Sequence, residues 1–405
     1  MIKKRILFVT YGGGHVNAVL PVIQALQTDS NVIVEVLAMT TASAVLTRHG
    51  VSHLRFKNLV RPEDFDALEI GRRLAAKLDN ALVDPEETAS YLGLCYADLA
   101  HREGEEEAER QYREKGRMSF LPLGPLRRVF DLCRPDLLVA TNSPRAEQAA
   151  FLVARERGIR SLCIVDLFGV DEVSWIGQLG YATRICVLSE DVREFYMRSG
   201  KSGSEVVVTG NPAFDRLKEY YRVETRIDLR IARGWTTEKV ILWASSLEPT
   251  LHPTTARAGD PTLPRRVDAA LIAAARRHAN WLIVIRPHPS EVLVATALPA
   301  NVTISSKEEE LEALLAAVDC VIVLASTVGM QAALLGRPVI QITETIIVSA
   351  APYAELGLAR EVRTPDELEA AMVDILEKGW LPPTKLDPPG RACANVVAQI
   401  TNLLC

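Results

Sequence analysis

Short apolar runs alternate with longer amphipathic stretches along most of this chain. The alternation is typical of parallel β-sheets covered by helices, because a strand buried on both faces is apolar throughout. The runs of the first half are Ile6–Thr10, Val32–Ala38, Leu137–Thr141, Ser161–Asp166, Ile185–Leu188 and Val206–Thr209. Those of the second half are Val240–Ala244, Leu282–Arg286, Val302–Ser305, Cys320–Leu324 and Val339–Ile342. Each half holds about five or six strands, which predicts one doubly wound sheet in each.

A segment rich in structure breakers separates the two halves. Thr209-Gly210-Asn211-Pro212 is followed by a charged stretch up to Gly234-Trp235, and Gly and Pro interrupt regular structure there. We place the boundary near residue 215, which predicts an N-terminal domain over 1–215 and a C-terminal domain over 216–390. A proline-rich stretch then precedes a last amphipathic helix, Ala392–Leu404. We expect this terminal segment, 391–405, to pack back on the first domain.

Composition excludes several classes of protein. The chain has 405 residues, of which 48% are hydrophobic and 24% charged, and its formal net charge is -5. This balance excludes a disordered chain and gives no global attraction to nucleic acid. The seven cysteines are scattered without metal-ligand spacing. No signal peptide and no membrane-spanning apolar run are recognisable, so we expect reduced thiols and a cytoplasmic protein.

The first chemical motif is a glycine-rich turn. Tyr11-Gly12-Gly13-Gly14-His15 follows the first strand and opens a helix. Glycines let the backbone approach a ligand, and a helix N-terminus offers unpaired N–H groups at the edge where doubly wound folds bind ligands. We therefore predict ligand contact at Gly13, Gly14 and His15, against the plainer alternative of a tight turn with an incidental histidine. The spacing is not G-x-G-x-x-G, which disfavours dinucleotide binding.

Three motifs in the second half carry groups suited to phosphate. Arg286-Pro287-His288-Pro289 ends a strand and presents two cationic or donor groups on a rigid backbone. Ser326-Thr327 precedes a helix, where hydroxyls either cap the helix or bind a phosphate. Ser245-Ser246 ends the first strand of this half and either contacts a diphosphate or simply turns the chain. Together they predict an anion site in the second sheet.

These motifs resemble those of GT-B glycosyltransferases. Gly12 to Leu26 is similar to the N-terminal loop of the transferase that adds N-acetylglucosamine to the lipid-linked peptidoglycan precursor, and of antibiotic and plant UDP-glycosyltransferases. Arg134 to Val139 resembles a segment of the same domain, and Ser326 to Pro338 resembles the nucleotide-binding strand-loop-helix. Thr209 to Asp215 resembles the interdomain segment of the non-hydrolysing UDP-N-acetylglucosamine 2-epimerases. Arg-Pro-His-Pro with Ser-Thr is also similar to bacterial capsule transferases.

The resemblance implies an α/β GT-B fold, with two Rossmann-like doubly wound parallel-sheet domains facing a central cleft. The first domain would bind an acceptor and the second a nucleotide-sugar. His15 would be the catalytic base, and Asp166, which ends a predicted strand, is the candidate for its acidic partner. Gln331 stands where the peptidoglycan transferase has a ribose-binding Glu, and Glu344 would reach sugar hydroxyls. The full set implied for the donor is Gly13, Gly14, Ser245, Ser246, Arg286, His288, Ser326, Thr327, Gln331 and Glu344.

The implied activity is transfer of a sugar from a nucleotide-activated donor to an acceptor hydroxyl. Among such donors a UDP-sugar is the first candidate. No cofactor and no metal are expected, and the setting would be cell-envelope polysaccharide or glycoconjugate biosynthesis. The acceptor would be a sugar, a lipid-linked sugar or a small molecule, not a nucleic acid. A lipid-linked acceptor would bring peripheral contact with the inner face of the membrane.

Two alternatives stay open. One is an enzyme similar to the UDP-N-acetylglucosamine 2-epimerases, although the loop Leu324–Gln331 lacks the acids of their D-S-G-G-x-Q-E-E pattern. Epimerisation moves protons on carbon and needs several carboxylates in the site. The other alternative is a non-catalytic protein that binds a nucleotide-sugar or acts as a scaffold.

Overall fold

The computed structural model describes residues 3–78, 83–202, 205–252, 255, 257–288, 298–306, 308–384, 386 and 388–405. The chain divides into two compact units. The first is Met1–Ala213 together with Arg391–Cys405, and the second is Phe214–Gly390. Each unit contains one six-stranded sheet.

The first sheet is entirely parallel. Its strands are β1 (Lys4–Thr10), β2 (Val32–Ala38), β3 (Leu137–Thr141), β4 (Arg160–Ile164), β5 (Arg184–Val187) and β6 (Val206–Val208). They lie in the order β2-β1-β3-β4-β5-β6. The strand order reverses between β1 and β3, and such a reversal opens a ligand crevice at the carboxyl ends of the strands.

Helices surround this sheet. They are α1 (Gly14–Gln27), α2 (Ala42–Arg48), α3 (Phe65–Ala75), α4 (Pro85–Glu103), α5 (Glu105–Lys115), α6 (Leu123–Cys133), α7 (Ala146–Glu156), α8 (Val173–Ile176) and α9 (Glu190–Arg198). Asp84 caps α4 by accepting from the Glu86 N–H at 3.0 Å, and Pro85 at the first helical position needs no donor of its own. Gly71 of α3 and Gly93 of α4 face each other's helix backbone, so neither position has room for a Cβ.

The second sheet repeats the design. Its strands are β7 (Lys239–Ala244), β8 (Trp281–Arg286), β9 (Val302–Ile304), β10 (Cys320–Val323), β11 (Val339–Ile342) and β12 (Arg360–Val362). All pairs are parallel, in the order β12-β11-β10-β7-β8-β9. The reversal here falls between β10 and β7.

The second unit has its own helices and core. The helices are α10 (Val223–Ala232), α11 (Leu263–Arg277), α12 (Leu311–Ala317), α13 (Val328–Leu334) and α14 (Leu368–Leu376). Trp243, Trp281, Leu271 and Met372 are fully or nearly fully buried in one apolar cluster between the sheet and its helices. Short 3₁₀ segments complete the two units at Phe56–Leu59, Pro62–Asp64, Gly116–Ser119, Pro212–Tyr220, Val348–Ala350 and Pro365–Glu367.

The terminal helix α15 (Ala392–Leu404) belongs to the first unit. Its Val396, Ile400 and Leu403 share a buried cluster with Phe8 of β1 and Ile23 of α1. The 3.6-residue period places these apolar positions on one face of the helix, and that face completes the core of the first unit.

The prediction of two doubly wound parallel sheets is confirmed. Every predicted strand is present, with ends that differ by up to two residues. The strand Ser161–Asp166 is one correction: it ends at Ile164, so Asp166 stands beyond the strand and not at its last position. The other correction is β12, which was not predicted, because an edge strand of three residues, two of them charged, gives no apolar run.

Candidate functional site

The carboxyl edge of the first sheet carries the glycine turn. Each glycine has a different reason to lack a side chain. Gly13 has φ 68° and ψ -136°, a backbone region that favours glycine, and the space around it is open. A Cβ on Gly12 would collide with Thr41, and one on Gly14 would lie 2.5 Å from a carboxylate oxygen of Asp166. The predicted turn therefore forms, and it brings Asp166 against the start of α1.

His15 heads a hydrogen-bonded relay that ends on a buried acid. Its Nδ1 lies 2.7 Å from the Thr141 hydroxyl oxygen at the end of β3. The Thr141 hydroxyl in turn donates to Oε2 of Glu147 at 2.5 Å. A hydroxyl has only one hydrogen, so Thr141 accepts from the Nδ1–H of His15. Neutral His15 is thereby held in the tautomer whose Nε2 carries the basic lone pair.

Glu147 is the fully buried end of this relay. Besides the Thr141 hydroxyl it accepts from the Tyr11 N–H at 3.0 Å and the Ser143 N–H at 2.9 Å. Burial raises the pKa of the Glu147 carboxyl, whereas His15 and these donors favour the charged form and oppose that rise. A buried carboxylate that orients an imidazole and stabilises its protonated form is a recurring base arrangement in enzymes.

Asp166 lies against the start of α1, but among the described residues no hydrogen bond joins it to His15. Its backbone N–H donates to Oδ1 of Asn142 at 2.8 Å, and its carbonyl accepts from Asn211. The acid that is hydrogen-bonded in line with His15 is Glu147 and not Asp166. A catalytic role for Asp166 itself stays a prediction.

A further carboxylate, that of Glu172, lies within electrostatic range of His15. Burial raises the pKa of Glu172, and the negative charges of Asp171 and Asp166 add to that rise, whereas His15 lowers it. The carboxyl edge of the first sheet therefore carries Glu172 with His15, Asp166 and Asp171 in its electrostatic surroundings, and all three acids are half-buried.

Thr141 and Glu147 were missed at the sequence level. Thr141 ends an apolar run and carries no signal of its own. Glu147 and Gln148 are the two polar residues of the stretch Ala146-Glu147-Gln148-Ala149-Ala150-Phe151, and an acid between small apolar residues is the signal that would have found Glu147.

The second sheet places two predicted motifs on either side of its own strand reversal. Ser245 and Ser246 follow β7, whereas Ser326 and Thr327 follow β10. The Ser245 hydroxyl oxygen is buried and has no hydrogen-bond partner within the described ranges. Buried polar atoms are nearly always satisfied, so an orphaned hydroxyl at a ligand edge is a candidate ligand group.

Two hydrogen bonds at Ser326 fix the loop after β10. The Ser326 carbonyl accepts from the Tyr353 hydroxyl at 2.7 Å, and the Ser326 hydroxyl accepts from the Val328 N–H at 3.3 Å. Thr327 is the N-cap residue of α13 but makes no capping hydrogen bond through its side chain. Thr327 therefore does not cap α13 with its side chain, and the residue is exposed.

The charged residues predicted for the donor are engaged inside the second unit. Arg286 donates from its two terminal nitrogens to the Ser305 hydroxyl and the Glu309 carbonyl, both at 3.0 Å. Both carboxylate oxygens of Glu344 accept from Arg266, at 2.8 and 3.1 Å.

The other predicted donor residues lie at or near this edge. His288 follows β8 and is half-buried, while Pro289 of the same motif lies outside the described residues. Gln331 is half-buried in α13. Their contacts with a nucleotide-sugar stay predictions.

Glu248 is a second acid that sequence reasoning missed. It is buried in the loop after β7 and accepts from the Thr345 hydroxyl at 2.5 Å and the Ile346 N–H at 2.9 Å. These bonds tie that loop to the turn after β11.

Within the described part of the chain, no group of three or more His, Cys, Asp or Glu side chains is arranged to hold a metal ion. None of the described helices is both long and apolar enough to cross a membrane.

Solved structures share this fold over the whole chain. The UDP-GlcNAc 2-epimerase from Neisseria meningitidis bound to UDP-GlcNAc is 15% identical, with a TM-score of 0.61 over 98% of this chain and 100% of that one. The S. aureus MnaA–UDP structure is 12% identical, with a TM-score of 0.62 over 99% and 97%. The glycotransferase of kitacinnamycin is 16% identical, with a TM-score of 0.53 over 100% and 95%.

These likenesses, at such low identity, concern the fold. No protein-family model and no curated protein matches the sequence. The chain has the two-domain α/β GT-B fold, as the sequence predicts, and shares it with the UDP-GlcNAc 2-epimerase and the glycotransferase named above.

Proposed function

We propose that this protein is a glycosyltransferase that moves a sugar from a nucleotide-activated donor to an acceptor hydroxyl. The observation that carries the proposal is the relay His15–Thr141–Glu147, which leaves Nε2 of His15 as the base. A single oriented base suits deprotonation of a hydroxyl, and it lies next to the glycine turn, where the space around Gly13 is open.

The proton path follows from the relay. Nε2 of His15 takes the proton of the acceptor hydroxyl as its oxygen attacks the anomeric carbon and the bond to the nucleotide breaks. The imidazolium that results keeps its Nδ1–H bond to Thr141, and the Glu147 carboxylate behind it stabilises the positive charge. A positioned base of this kind contributes about 10²–10⁴-fold to a rate.

The donor side rests on the second sheet. Ser245 supplies an orphaned hydroxyl at the strand reversal, across from Ser326 and Thr327. Two similar structures hold UDP-GlcNAc or UDP, which makes a UDP-sugar the first donor to test. In the proposed reaction protein donors meet the charge of the leaving nucleotide, so no metal is required.

The test is sugar transfer by wild type and a His15→Ala variant. UDP-sugars are supplied with a panel of hydroxyl acceptors, and both product and released nucleotide are quantified. We expect the variant to lose about 10²–10⁴-fold in turnover with unchanged nucleotide affinity. His49→Ala, which alters an exposed histidine at the end of α2, is the matched control. Equal turnover in His15→Ala and the control would remove the base assignment.

Epimerisation is the second candidate. Two observations favour it: Glu172, with His15, Asp166 and Asp171 in its electrostatic surroundings, and the UDP-GlcNAc 2-epimerase among the similar structures. An epimerase exchanges a carbon-bound proton of its substrate, so UDP-GlcNAc incubated in D₂O without acceptor would gain deuterium at C2. A transferase yields no such label. Nucleotide binding with neither label nor transfer would leave the binding or scaffold alternative.

The cellular setting follows from the acceptor. Cell-envelope polysaccharide or glycoconjugate biosynthesis, and peripheral contact with the membrane, stay predictions until an acceptor is known.

A further inference from the structure

A small cavity in the first unit is not used by the proposed chemistry. Its volume is about 110 Å³, and its walls include Tyr11, Met39, Tyr91, Leu92, Arg117 and Arg145. One water needs roughly 10–15 Å³ of such space, so the cavity has room for several waters. That space accommodates a carboxylate or a phosphate group.

Arg145 is the unexplained residue of this cavity. Its guanidinium lies 5.1 Å from the centre of the Tyr11 ring, and its Nε is buried without a hydrogen-bond partner. Over the described ranges, the Arg145 side chain makes no hydrogen bond and no close ion pair. The Tyr11 ring and the nearby Glu147 carboxylate stabilise its positive charge, but the half-buried guanidinium still has an unsatisfied Nε–H, and a ligand anion would supply the missing acceptor.

The backbone of Arg145 is strained as well. Its φ of 72° and ψ of -111° lie in a region that residues with side chains rarely adopt. Such strain persists where the surrounding structure requires a side chain to point in one direction, and it clusters at ligand-binding sites. Two independent costs, one electrostatic and one conformational, therefore fall on the same residue.

The remaining polar groups of the cavity favour an anion. Glu87 is the acid in the wall, but its two oxygens accept from the Phe56 and Lys57 N–H groups at 2.9 and 3.0 Å. The hydroxyls of Tyr11 and Tyr91 lie 3.2 Å apart, so one of their two hydrogens bonds the pair and the other is left to donate. The exposed Arg117 adds a second positive charge at the wall.

The cavity shares its frame with the base. The Tyr11 N–H donates to Glu147 at 3.0 Å, and Arg145 stands two residues before Glu147 at the start of α7. Tyr11 is also the residue before the glycine turn that leads to His15. A group bound in the cavity thus contacts two chain segments, the one that contains Tyr11 and the start of α7. The same two segments orient the imidazole of His15.

We propose that this cavity binds an anionic group of the acceptor, a carboxylate or a phosphate, with Arg145 as its cationic anchor and the Tyr11–Tyr91 pair as a further donor. The acceptor is then an acidic molecule, such as a uronic acid or a phosphorylated sugar. This inference rests on the proposed glycosyl transfer, because it assigns the cavity to that reaction's acceptor.

The first test is binding, which needs no turnover. Inorganic phosphate and acetate are titrated separately into the full-length protein by calorimetry, with wild type, Arg145→Gln and Arg145→Lys. We expect saturable binding of at least one anion to wild type, loss of at least about tenfold in affinity in Arg145→Gln, and partial retention in Arg145→Lys. Arg155→Gln, an exposed arginine of the same helix, is the matched control. Unchanged anion affinity in Arg145→Gln would overturn the proposal.

The second test compares an acidic acceptor with its neutral counterpart. A methyl glucuronide and a methyl glucoside differ in a carboxylate, and glucose 1-phosphate provides the phosphate arm. We expect kcat/KM to favour an acidic acceptor, and Arg145→Gln to abolish that preference mainly through KM. Equal use of charged and neutral acceptors by wild type would overturn the assignment.

The two failures are distinguishable. Anion binding that depends on Arg145 without any sugar transfer supports the cavity and removes the transferase. Transfer to neutral acceptors without anion binding supports the transferase and removes the anion site in the cavity. An unchanged melting temperature in Arg145→Gln serves as the check that the first unit is folded.

Discussion

The carboxyl edges of the two sheets have the same strand reversal, but their polar groups are arranged differently. At the first edge His15 is already hydrogen-bonded to Thr141, which is bonded to Glu147. At the second edge the predicted phosphate ligand Arg286 donates to Ser305 and Glu309, whereas the Ser245 hydroxyl has no partner among the described residues. The difference suggests a preorganised base in one unit and a site completed by its ligand in the other.

Removing the buried charge of Glu147 is expected to have the largest effect. In Glu147→Gln the shape is kept, but the amide offers fewer acceptor positions to Thr141, Tyr11 and Ser143. We expect turnover to fall about 10²-fold, since the imidazolium loses its stabilising carboxylate. We also expect a loss of about 1–3 kcal/mol in stability from unsatisfied buried donors.

Steady-state kinetics and urea unfolding would measure both effects. Glu156→Gln is the control, because Glu156 lies on the same helix and pairs with Arg127 at the surface. Turnover equal to that of the control would contradict a working relay.

Substitutions in the glycine turn come next. A Cβ at Gly14 meets only the end of the Asp166 side chain, which can rotate away. We therefore expect Gly14→Ala to keep its stability and to lose about tenfold in activity if Asp166 positions substrate, the loss of one charged hydrogen bond. Gly13→Ala should instead lose about 1–2 kcal/mol of stability, because alanine is strained at φ 68°.

Melting temperatures and initial rates of the two variants separate these effects. Full activity in Gly14→Ala would mean that the position of Asp166 is unimportant to the reaction.

Ser245→Ala tests the edge completed by its ligand. No internal hydrogen bond is lost, since the Ser245 hydroxyl has none among the described residues. We expect unchanged stability and a fall of about tenfold in affinity for UDP, the size of one hydrogen bond to a charged group. Calorimetric titration with UDP measures it, and Ser199→Ala in the first unit is the control. A destabilised protein with normal UDP affinity would argue for a structural Ser245.

The smallest effect concerns acid stability of the second unit. The Arg277 and His278 side chains lower the pKa of Glu369 to about 2. A lowered pKa means that this contribution is present above the ordinary carboxyl value of 4.5 and is lost as pH falls through about 2. We expect Glu369→Gln to lose less than about 1 kcal/mol near neutral pH, because the pair is partly exposed.

Urea midpoints at about pH 7 and about pH 3 check this sign, with the difference between variant and wild type shrinking in acid. Glu377→Gln, at the exposed end of α14, is the control. A difference that grows in acid would contradict the assignment.

Sequence alone predicted the fold well, because each buried parallel strand is a continuous apolar run that can be recognised locally in the sequence. It missed β12, whose residues Arg360-Glu361-Val362 need no apolar run at a sheet edge. The site was predicted in part. His15 is marked by a local motif, but its partners are not, since Thr141 is 126 residues away and Glu147 meets Tyr11 across 136 residues.

Arg145 shows why the remaining residues of the site could not be predicted from the sequence. Nothing in its neighbourhood along the sequence distinguishes it from the many surface arginines of the chain. Its contact with the Tyr11 ring, its positive φ and its unbonded Nε arise only from tertiary packing.

The most direct test of the His15 assignment is the tautomer of its imidazole, read from ¹⁵N–¹H correlation spectra with His15→Ala as the assignment control. At about pH 8 the neutral ring should carry its proton on Nδ1 and leave Nε2 bare. Glu147→Gln should shift that balance, because the terminal acceptor of the relay loses its negative charge and gains an NH2 donor that competes for the Thr141 hydroxyl. A proton on Nε2, or a spectrum unchanged by Glu147→Gln, would contradict the relay and with it the proposed base.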